Sequence, residues 1–490
     1  MPRRTSLRLP HGSLTVYLHP LDGCPDLELF VQALPTRTPL IWLDSARHHP
    51  VTGRWSMLGY DPWLTLSAHG NRIEMTTSAS TRVWRAHPLE ALRQVLRCYR
   101  IPSRSQRHAR AIGLMGFLNY DLNRWIERLP EPRPSESRTP EMLWCGMRVV
   151  VLVDHLQQRS WLLSVVDPHS PPPAARRGAR EALERAQARL TASPTAVALR
   201  RRMSVRAPQA TSTQAEFETM VSRALEYIRA GEIFQANVSQ RFTAPSPGDA
   251  LALYEALRWI NPSPFACFLS SGDLAVVSCS PERLVRVEEG CVETRPIAGT
   301  RPRGASPHED AINSLELLMS EKERAEHIML VDLARNDLGR VCRMGSVTVG
   351  ELMGLEDYSH VIHLVSDVSG ELRRGVDAVD VIKAIFPGGT ITGCPKVRCM
   401  EILRELEPVP RGLYTGSLGY LGFDGTMDLN IAIRTMIVQG TRLSFHVGAG
   451  IVADSDPERE YRETLAKAEA LTDALAACGE SERWSDAVAR

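Results

Sequence analysis

The chain has 490 residues, and its 58 basic and 57 acidic side chains leave a net charge of +1. This balance argues against a protein that binds nucleic acid or a membrane surface through bulk charge. The ten cysteines form no C-x-x-C pair, which favours reduced thiols over a disulfide framework or a zinc site. No apolar run approaches the roughly 18 residues of a membrane span. We therefore expect a cytoplasmic protein with no nucleic-acid and no membrane partner.

The N-terminal region, residues 1–167, has the pattern of mixed strand and helix. Residues 40–43 form a short apolar strand, and residues 89–99 have helical spacing. The segment 54–59 leads into a predicted turn at Tyr60-Asp61-Pro62. No catalytic constellation is recognisable in this region.

Residues 168–213 differ in composition from what precedes them. Three consecutive prolines open the segment, an Ala/Arg/Glu helix follows, and a basic stretch runs through residues 200–202. No apolar run with a clear period supports a core here. We interpret the segment as a surface helix with a solvated linker, and we place a domain boundary in it.

Residues 214–478 carry the clearer pattern. An amphipathic helix is followed by runs of short apolar strands with helices between them. One of these strands is predicted at 428–438, where Arg434 interrupts an apolar alternation. Runs of adjacent strands without regular βαβ alternation predict an α+β architecture with mainly antiparallel sheet.

A glycine-rich segment at residues 386–398 stands between two predicted helices. Its three glycines and two prolines force a tight backbone, and bare N–H groups at a helix N-terminus suit an anion. Thr390 adds a hydroxyl donor, and Lys396 adds a positive charge. The spacing excludes a P-loop, because Cys394 and Pro395 precede the lysine and no Ser or Thr follows it. A plain structural turn is the alternative interpretation of this segment.

Two pairs of glutamates occur at one-turn spacing near the start of separate helices. Glu323 and Glu326 lie in one helix, and Glu460 and Glu463 lie in the last helix. A single pair of this kind is usually a solvated helix face. Two pairs beside glycine-rich segments could converge on a hard divalent cation. Oxygen ligands favour Mg²⁺, which binds through one or two carboxylates together with an anionic substrate.

Three further features indicate ligand contacts. The segment Gly448-Ala449-Gly450 offers a second backbone surface for an anion. Arg434 in an apolar strand must face solvent, an ion partner or a ligand, and a bidentate carboxylate contact is the functional interpretation. His363 lies in a similar strand, where a histidine is more often structural than catalytic. The residues alone therefore predict an enzyme with Mg²⁺ and a small polyanionic substrate, and they leave the reaction open.

Several of these segments also resemble a known family. They are residues 234–242, 280–282, 295–304, 323–340, the glycine loop, 414–420 and 448–463. Taken together they resemble the chorismate-utilising enzymes, and component I of aminodeoxychorismate synthase more closely than component I of anthranilate synthase. The resemblance covers most of residues 214–475, and a weaker one at 43–46, 53–56 and 119–121 extends into the N-terminal region.

The resemblance implies a fold and a division of the chain. The fold is α+β, with two packed, mainly antiparallel β-sheets flanked by helices. Residues 1–167 would be the N-terminal component I-like region, and residues 214–478 the chorismate-binding catalytic domain. Asp44 lies in a segment that resembles part of a tryptophan pocket in anthranilate synthases. A packing interface is at least as good an interpretation of that segment, and we do not predict feedback inhibition.

The resemblance also implies roles for individual residues. Those matching the family's Mg²⁺ site are Glu326 and Glu463, with Glu323 and Glu460 nearby through water. Those matching its substrate site are Thr390, Tyr414, Arg434, Gly448, Gly450 and Lys396. His363 matches a residue near the departing hydroxyl, and Glu282 matches a candidate general acid or base. The metal and its neighbours would neutralise a ring carboxylate and help the C4 hydroxide to leave.

The nucleophile is implied by the residue at position 235. Isochorismate and salicylate synthases carry a water-activating lysine at the position that matches Gln235. Glutamine removes that base, which favours ammonia as the nucleophile. The chain has no recognisable glutaminase segment, so the resemblance implies a separate glutamine amidotransferase subunit.

The position of amination depends on conflicting signals. Many aminodeoxychorismate synthases have a lysine nucleophile where this chain has Ala298, and alanine cannot form the covalent adduct. Alanine is also typical of anthranilate synthases, which release pyruvate. Gly389, however, stands where anthranilate synthases tend to have alanine. We favour aminodeoxychorismate synthase component I, acting with a downstream aminodeoxychorismate lyase in 4-aminobenzoate and folate synthesis. Anthranilate synthase component I and a non-catalytic chorismate-binding partner are the alternatives.

Overall fold

The computed structural model describes residues 3–9, 12–35, 37–47, 52–101, 107–131, 133, 137–191, 205–304, 306–357 and 361–479. Within these residues the chain forms 25 strands and ten α-helices. The strands are β1 (Arg3–Leu9), β2 (Gly12–Leu21), β3 (Leu40–Asp44), β4 (Trp55–His69), β5 (Arg72–Thr77), β6 (Thr81–Arg85), β7 (Gly113–Leu118), β8 (Met142–Asp154), β9 (Arg159–Val165), β10 (Gln209–Ala210), β11 (Gln235–Pro245), β12 (Phe265–Ser271), β13 (Leu274–Ser280), β14 (Arg283–Glu288), β15 (Cys291–Thr294), β16 (Ile297–Pro302), β17 (Thr348–Val349), β18 (Gly354–Asp357), β19 (Val361–Val365), β20 (Val368–Glu371), β21 (Gly393–Cys394), β22 (Ser417–Gly422), β23 (Met427–Asn430), β24 (Thr435–Gln439) and β25 (Arg442–Ile451).

The α-helices are α1 (Leu27–Gln32), α2 (Pro88–Cys98), α3 (Pro172–Thr191), α4 (Gln214–Arg229), α5 (Ala250–Ile260), α6 (Pro307–Met319), α7 (Glu321–Gly339), α8 (Ala378–Ile385), α9 (Lys396–Leu406) and α10 (Pro457–Ala477). In the described part of the chain, none of them has both the length and the apolar character that crossing a membrane requires.

Antiparallel pairing organises the molecule. Hydrogen bonds link 22 of the strands into one continuous network, and β16, β19 and β18 form a separate three-stranded sheet in that order. Helices cover the large sheet, which confirms the predicted α+β class. The three-stranded sheet is buttressed by α6 and α7, whose residues contact β16.

The large sheet is buried on both faces because its strands alternate between two apolar cores. Ile41 faces one core and Trp42 the other, and in β8 Val150 and Val151 divide in the same way. Successive side chains of a strand point to opposite faces, so a strand covered on both sides is apolar throughout. One core also contains residues of α2, α7 and α8, and the other contains residues of α1, α3, α5 and α10.

The N-terminal and C-terminal regions share this sheet. Strand β3 pairs with β12, and β7 pairs with β22 over six residue pairs. The apolar core that includes α7 and α8 likewise draws residues from both regions. The N-terminal region therefore forms part of the scaffold that positions the C-terminal strands.

Two local predictions are wrong. The predicted turn at Tyr60-Asp61-Pro62 is instead part of the 15-residue strand β4, which pairs with β8 through these residues and has a register irregularity between Pro62 and Leu64. Asp61 takes φ +56° there. The predicted strand 428–438 is instead broken between β23 and β24, and Arg434 lies in the break with φ +50°.

Helix α3 contributes more to the core than its sequence pattern indicated. One face packs against β2, β8 and β9, and its buried members are Ala175, Ala179, Ala182, Leu183 and Ala186. Alanine buries little area, so this face produced no strong apolar signal. The basic stretch at 200–202 lies outside the described residues.

Candidate active site

A concave surface forms where β11 lies beside β25. The two strands are antiparallel, with Asn237 opposite Gly450. A Cβ atom on Gly448 would lie 2.5 Å from Asn237 Oδ1 and 2.7 Å from the Tyr414 hydroxyl. A Cβ atom on Gly450 would lie 2.9 Å from Gln235 Nε2. The two glycines therefore leave room that any other residue would fill, and we call this surface the cradle: Gln235, Asn237, Tyr414, Gly448 and Gly450.

The cradle contains polar atoms that the described part of the chain does not satisfy. Gln235 Oε1 and Asn237 Oδ1 are buried there without a hydrogen-bond partner. Buried polar atoms in proteins are almost always paired, so unpaired acceptors at a concave surface indicate a ligand. Strand β25 pairs with β11 from Arg442 to Ile451 but with β24 only from Arg442 to Phe445. Among the described residues, the glycine segment is therefore paired with a strand along one edge.

Tyr414 of the cradle and Arg434 both lie in irregular backbone. Tyr414 is buried and stacks on His446 with ring centroids 5.4 Å apart. Arg434 is half-buried, and its Nη1 donates a 2.9 Å hydrogen bond to Asn261 Oδ1. The break before β24 turns this arginine out of the strand pattern. A guanidinium that Asn261 holds in place suits a carboxylate ligand.

The three-stranded sheet carries His363 and Ala298. In that sheet Ala298 pairs with Leu364, and an irregularity at Gly299 precedes the pairing of Thr300 with His363. His363 Nδ1 lies 3.3 Å from the Gly299 carbonyl oxygen. Burial lowers the pKa of His363 to about 4, and the charge of Arg434 contributes to the lowering. His363 is therefore a neutral imidazole at pH 7, within electrostatic range of Arg434.

Glu282 occupies the turn between β13 and β14. Its Oε1 accepts a 2.7 Å hydrogen bond from the Thr390 hydroxyl. Burial raises the pKa of Glu282 to about 7, although the Thr390 hydrogen bond opposes the shift. A cavity of about 30 Å³ lies against both residues and extends to helix α7. Such a volume holds a molecule of the size of water or ammonia.

The glycine loop between α8 and α9 packs closely on its neighbours. A Cβ atom on Gly389 would lie 2.3 Å from Leu333 Cδ2 of α7, and one on Gly393 would lie 2.0 Å from the Gln235 carbonyl oxygen. The N–H groups of Thr392 and Gly393 donate to the Gly389 carbonyl within the loop. Packing thus requires glycine at 393, where the neighbour is backbone, whereas a side chain at 389 would have to displace Leu333. The loop positions Thr390 against Glu282.

Lys396, the first residue of α9, is held by other parts of the protein. Its Nζ lies 2.5 Å from Asp337 Oδ2 and donates a 2.8 Å hydrogen bond to the Ile385 carbonyl. These contacts join α7, the end of α8 and the start of α9. The expectation that Lys396 binds the substrate stays a prediction, and it would require this buried ion pair to open.

The four predicted metal-site glutamates lie on helices α7 and α10. Ser320 and Asp456 cap these helices through side-chain hydrogen bonds. Burial raises the pKa of Glu326, and the charges of Glu323 and Glu460 add to the effect. The predicted helical faces therefore do bring carboxylates of both helices within electrostatic range of one another.

These carboxylates differ in their existing partners. Glu323 Oε1 lies 3.0 Å from Arg301 Nη1, and Glu463 Oε1 lies 2.6 Å from Lys467 Nζ. Glu326 is half-buried and makes no ion pair with the described residues. No group of three or more His, Cys, Asp or Glu side chains in the described residues could hold a metal by itself. The donor set fits Mg²⁺, which takes one or two carboxylates and completes its shell with water and substrate oxygens.

Lys467 is a candidate site residue that the sequence interpretation missed. Its Nζ donates a 3.1 Å hydrogen bond to the Gly448 carbonyl and also pairs with Glu463. The spacing in the sequence could have identified it, because Lys467 lies one turn after Glu463 on the same face of α10. This lysine links the glutamate cluster to the cradle.

A second cavity, of about 60 Å³, lies where the N-terminal region meets β12 and β22. Asp44 lines it, and its carboxylate accepts hydrogen bonds from the Tyr254 hydroxyl at 3.0 Å and Arg258 Nε at 2.6 Å. The Ser56 hydroxyl donates a third, at 3.2 Å. The protein itself thus neutralises Asp44, which fits a packing role for this segment.

Comparisons with known proteins extend over nearly the whole chain. A family profile described as "chorismate binding enzyme" matches residues 40–473. The anthranilate synthase component I-like protein of Synechocystis sp. is 41% identical over 479 residues, which cover 93% of this chain and 90% of that protein. Aminodeoxychorismate synthase component 1 of Bacillus subtilis is 39% identical over 450 residues, covering 92% and 94% respectively. The crystal structure of anthranilate synthase component I from Streptococcus pneumoniae matches with a TM-score of 0.77 and 33% identity, covering 87% of this chain and 94% of that one.

Proposed function

Because the chain belongs to the family of chorismate binding enzymes, we propose that the cradle binds chorismate and that the chain aminates it at C4. In this proposal the chain is component I of an aminodeoxychorismate synthase. The observation that carries it is the cradle itself, in which Gln235 and Asn237 present unpaired amide oxygens beside Gly448 and Gly450.

The substrate's charges match the cations around the cradle. Chorismate carries two carboxylates. Lys467 contacts the glycine segment at the Gly448 carbonyl, and the charges of Arg434 and Lys467 both act on His363. The Tyr414 hydroxyl and the backbone of Gly450 add neutral donors. Charge-assisted hydrogen bonds of this kind are the strong ones, and together they would fix the ring in one orientation.

The residues around the ring suit exchange of a hydroxyl for an amine. Glu282, with a pKa of about 7, retains a proton near neutral pH and donates it to the departing C4 hydroxyl, which leaves as water. The ammonia nitrogen forms the new C–N bond, and its surplus proton returns to the Glu282 carboxylate. His363 is neutral and serves as a hydrogen-bonding neighbour.

The nucleophile is held by the polar atoms at the start of β11. The amide oxygens of Gln235 and Asn237 accept N–H bonds from ammonia and leave its lone pair directed at the ring. Ala298 offers no nucleophilic atom, so ammonia itself forms the bond in this chain. A separate glutamine amidotransferase subunit supplies the ammonia in the cytoplasm, and an aminodeoxychorismate lyase then forms 4-aminobenzoate for folate synthesis.

Mg²⁺ would be held by Glu326 and Glu463, with Glu323 and Glu460 acting through water. When bound, it would neutralise a ring carboxylate and favour departure of the hydroxyl. The raised pKa of Glu326 supports this assignment, because a neighbouring cation relieves the repulsion that burial and Glu323 impose.

Amination at C4 rather than C2 is supported by the packing of the glycine loop. The resemblance associates alanine at position 389 with anthranilate synthases, and here a Cβ atom would lie 2.3 Å from Leu333 Cδ2. The runner-up is anthranilate synthase component I. Ala298 favours this function, and most of the similar proteins carry the name anthranilate synthase component 1. C2 amination releases pyruvate and C4 amination does not, so the two reactions are separable.

Turnover by a Glu326→Gln variant separates an enzyme from a non-catalytic chorismate binder. We expect wild-type protein with Mg²⁺ and ammonium to consume chorismate. We expect the variant to be slower by on the order of 100-fold or more, because it loses a carboxylate ligand of the metal. Circular dichroism should show that both proteins are folded. Failure of the wild type to consume chorismate with any ammonia source would support the binder.

A further inference from the structure

The side chain of Arg411 is buried beneath the cradle, and its guanidinium uses every N–H that it has. Arg411 is 2% exposed. Its Nε donates to Glu407 Oε2 at 2.8 Å, and its Nη2 donates to Glu407 Oε1 at 2.6 Å and to the Asn237 carbonyl. Its Nη1 donates to the Ile391 carbonyl at 2.9 Å and to the Thr415 hydroxyl at 3.2 Å. These five bonds account for the five donors of a guanidinium.

The acceptors other than Glu407 belong to three separate segments of the site. Asn237 is part of the cradle on β11, Ile391 follows Thr390 in the glycine loop, and Thr415 follows Tyr414. Tyr414 itself lies 5.6 Å from the guanidinium carbon, measured to its ring centroid. One side chain thus fixes the mutual spacing of three segments that each carry a candidate substrate contact.

Glu407 orients this arginine. Its carboxylate accepts both Arg411 bonds and also hydrogen bonds from the Ser239 backbone N–H at 2.9 Å and the Ser239 hydroxyl at 2.8 Å. Glu407 is itself 5% exposed. A buried pair needs such additional bonds to offset the cost of removing two charges from water. The two-point contact with Glu407 leaves the remaining donors of Arg411 directed at the three segments.

We propose that Arg411 is a positioning residue for the substrate: it aligns Tyr414, Thr390 and Asn237 so that they contact one bound molecule. The proposal rests on the proposed function only in taking chorismate as that molecule. A lysine could not replace it, because an ammonium has three donors around a single point and lacks the planar fork.

Kinetics of an Arg411→Lys variant test the proposal. The matched control is Arg110→Lys, which alters a guanidinium of similar burial (7% exposed) that pairs with Glu288 and lies over the Trp55 ring. We expect both variants to unfold at lower temperature, because both disturb a buried ion pair. We expect only Arg411→Lys to raise the KM for chorismate, by roughly tenfold or more, at saturating ammonium and Mg²⁺. A KM within about twofold of wild type in a folded Arg411→Lys variant would overturn the proposal.

A double-mutant cycle provides a readout that a merely structural role would not change. Tyr414→Phe should raise KM in the wild-type background and have little further effect in the Arg411→Lys background, because the tyrosine is already displaced. Independent effects of the two changes would contradict the proposal.

If Arg411→Lys does not fold, Glu407→Gln takes its place in the cycle, with the same expected coupling. If the wild type binds chorismate without turnover, the Kd measured by calorimetry replaces KM. Failure of the proposed function then stays distinguishable from failure of this inference.

Discussion

At the scale of single residues, burial sets the protonation states on which the proposed chemistry depends. Glu282 and His363 are both buried. Burial shifts their pKa values in opposite directions, because it disfavours the charged form of each side chain. The pKa of Glu282 rises to about 7 and that of His363 falls to about 4. The carboxyl group is therefore the one of the two that can deliver a proton near neutral pH.

This assignment predicts the pH dependence of kcat. Because the pKa of Glu282 is raised from 4.5 to about 7, the proton-donating form persists up to neutral pH and is lost above it. With free ammonia held constant, kcat should fall as the pH rises through about 7. Initial rates between about pH 5.5 and 9 at saturating chorismate measure this.

Two variants give the controls for that profile. Thr390→Val removes the hydrogen bond that lowers the pKa of Glu282, so the inflection should move to higher pH. Glu282→Gln should be slow and should lack the inflection. An inflection that neither change affects would assign the titration to another group.

At the scale of elements, the glycine loop is positioned by its packing against helix α7. A Cβ atom on Gly388 would lie 2.9 Å from Ile431 Cδ1, and one on Gly389 would lie 2.3 Å from Leu333 Cδ2, so these side chains would have to move. This contact presses the loop against α7 and directs Thr390 at Glu282. The loop thereby couples the helix of the glutamate pair Glu323 and Glu326 to the proposed general acid.

Gly389→Ala should therefore lower kcat by roughly tenfold or more, because the loop must move and Thr390 moves with it. Leu333→Ala makes room for the new methyl group, so the double variant should recover much of the lost activity. Leu333→Ala alone supplies the control for the cavity that it creates. Steady-state kinetics of the three variants test this, and a double variant no faster than Gly389→Ala would show that the contact does not act through packing.

How far the sequence predicts the site differs from element to element. The glutamate pairs were predictable, because spacing along a helix alone decides which residues share a face. The break at Arg434 was not, since its positive φ depends on tertiary contacts such as the one with Asn261. The continuation of β4 through Asp61 escaped prediction for a related reason, because pairing with β8 keeps a turn-like sequence inside a long strand. The cradle's unpaired amides required the register of β11 against β25, which sequence spacing does not supply.

At the scale of the whole molecule, the N-terminal region completes the catalytic sheet. Without β3 and β7, strands β12 and β22 would each present an unpaired edge, and the shared apolar core would be open. Residues 192–204 of the segment 168–213 lie outside the described residues, and a division there interrupts none of the described elements.

Residues 205–479 expressed alone should therefore fail to show a cooperative unfolding transition. Co-expression with residues 1–191 as a separate chain should restore one, together with activity, because the strand pairings can form between chains. Thermal melts followed by circular dichroism measure the difference. A cooperative melt of the isolated C-terminal fragment would show that the N-terminal strands are dispensable for its fold.

The identity of the product tests the central claim most directly. Purified protein is incubated with chorismate, Mg²⁺ and ammonium at alkaline pH, with and without an added aminodeoxychorismate lyase, and the products are resolved by mass and fluorescence. We expect 4-aminobenzoate to form only when the lyase is present, without pyruvate release in its absence. Anthranilate and pyruvate formed without the lyase would contradict C4 amination and would identify the chain as an anthranilate synthase component I.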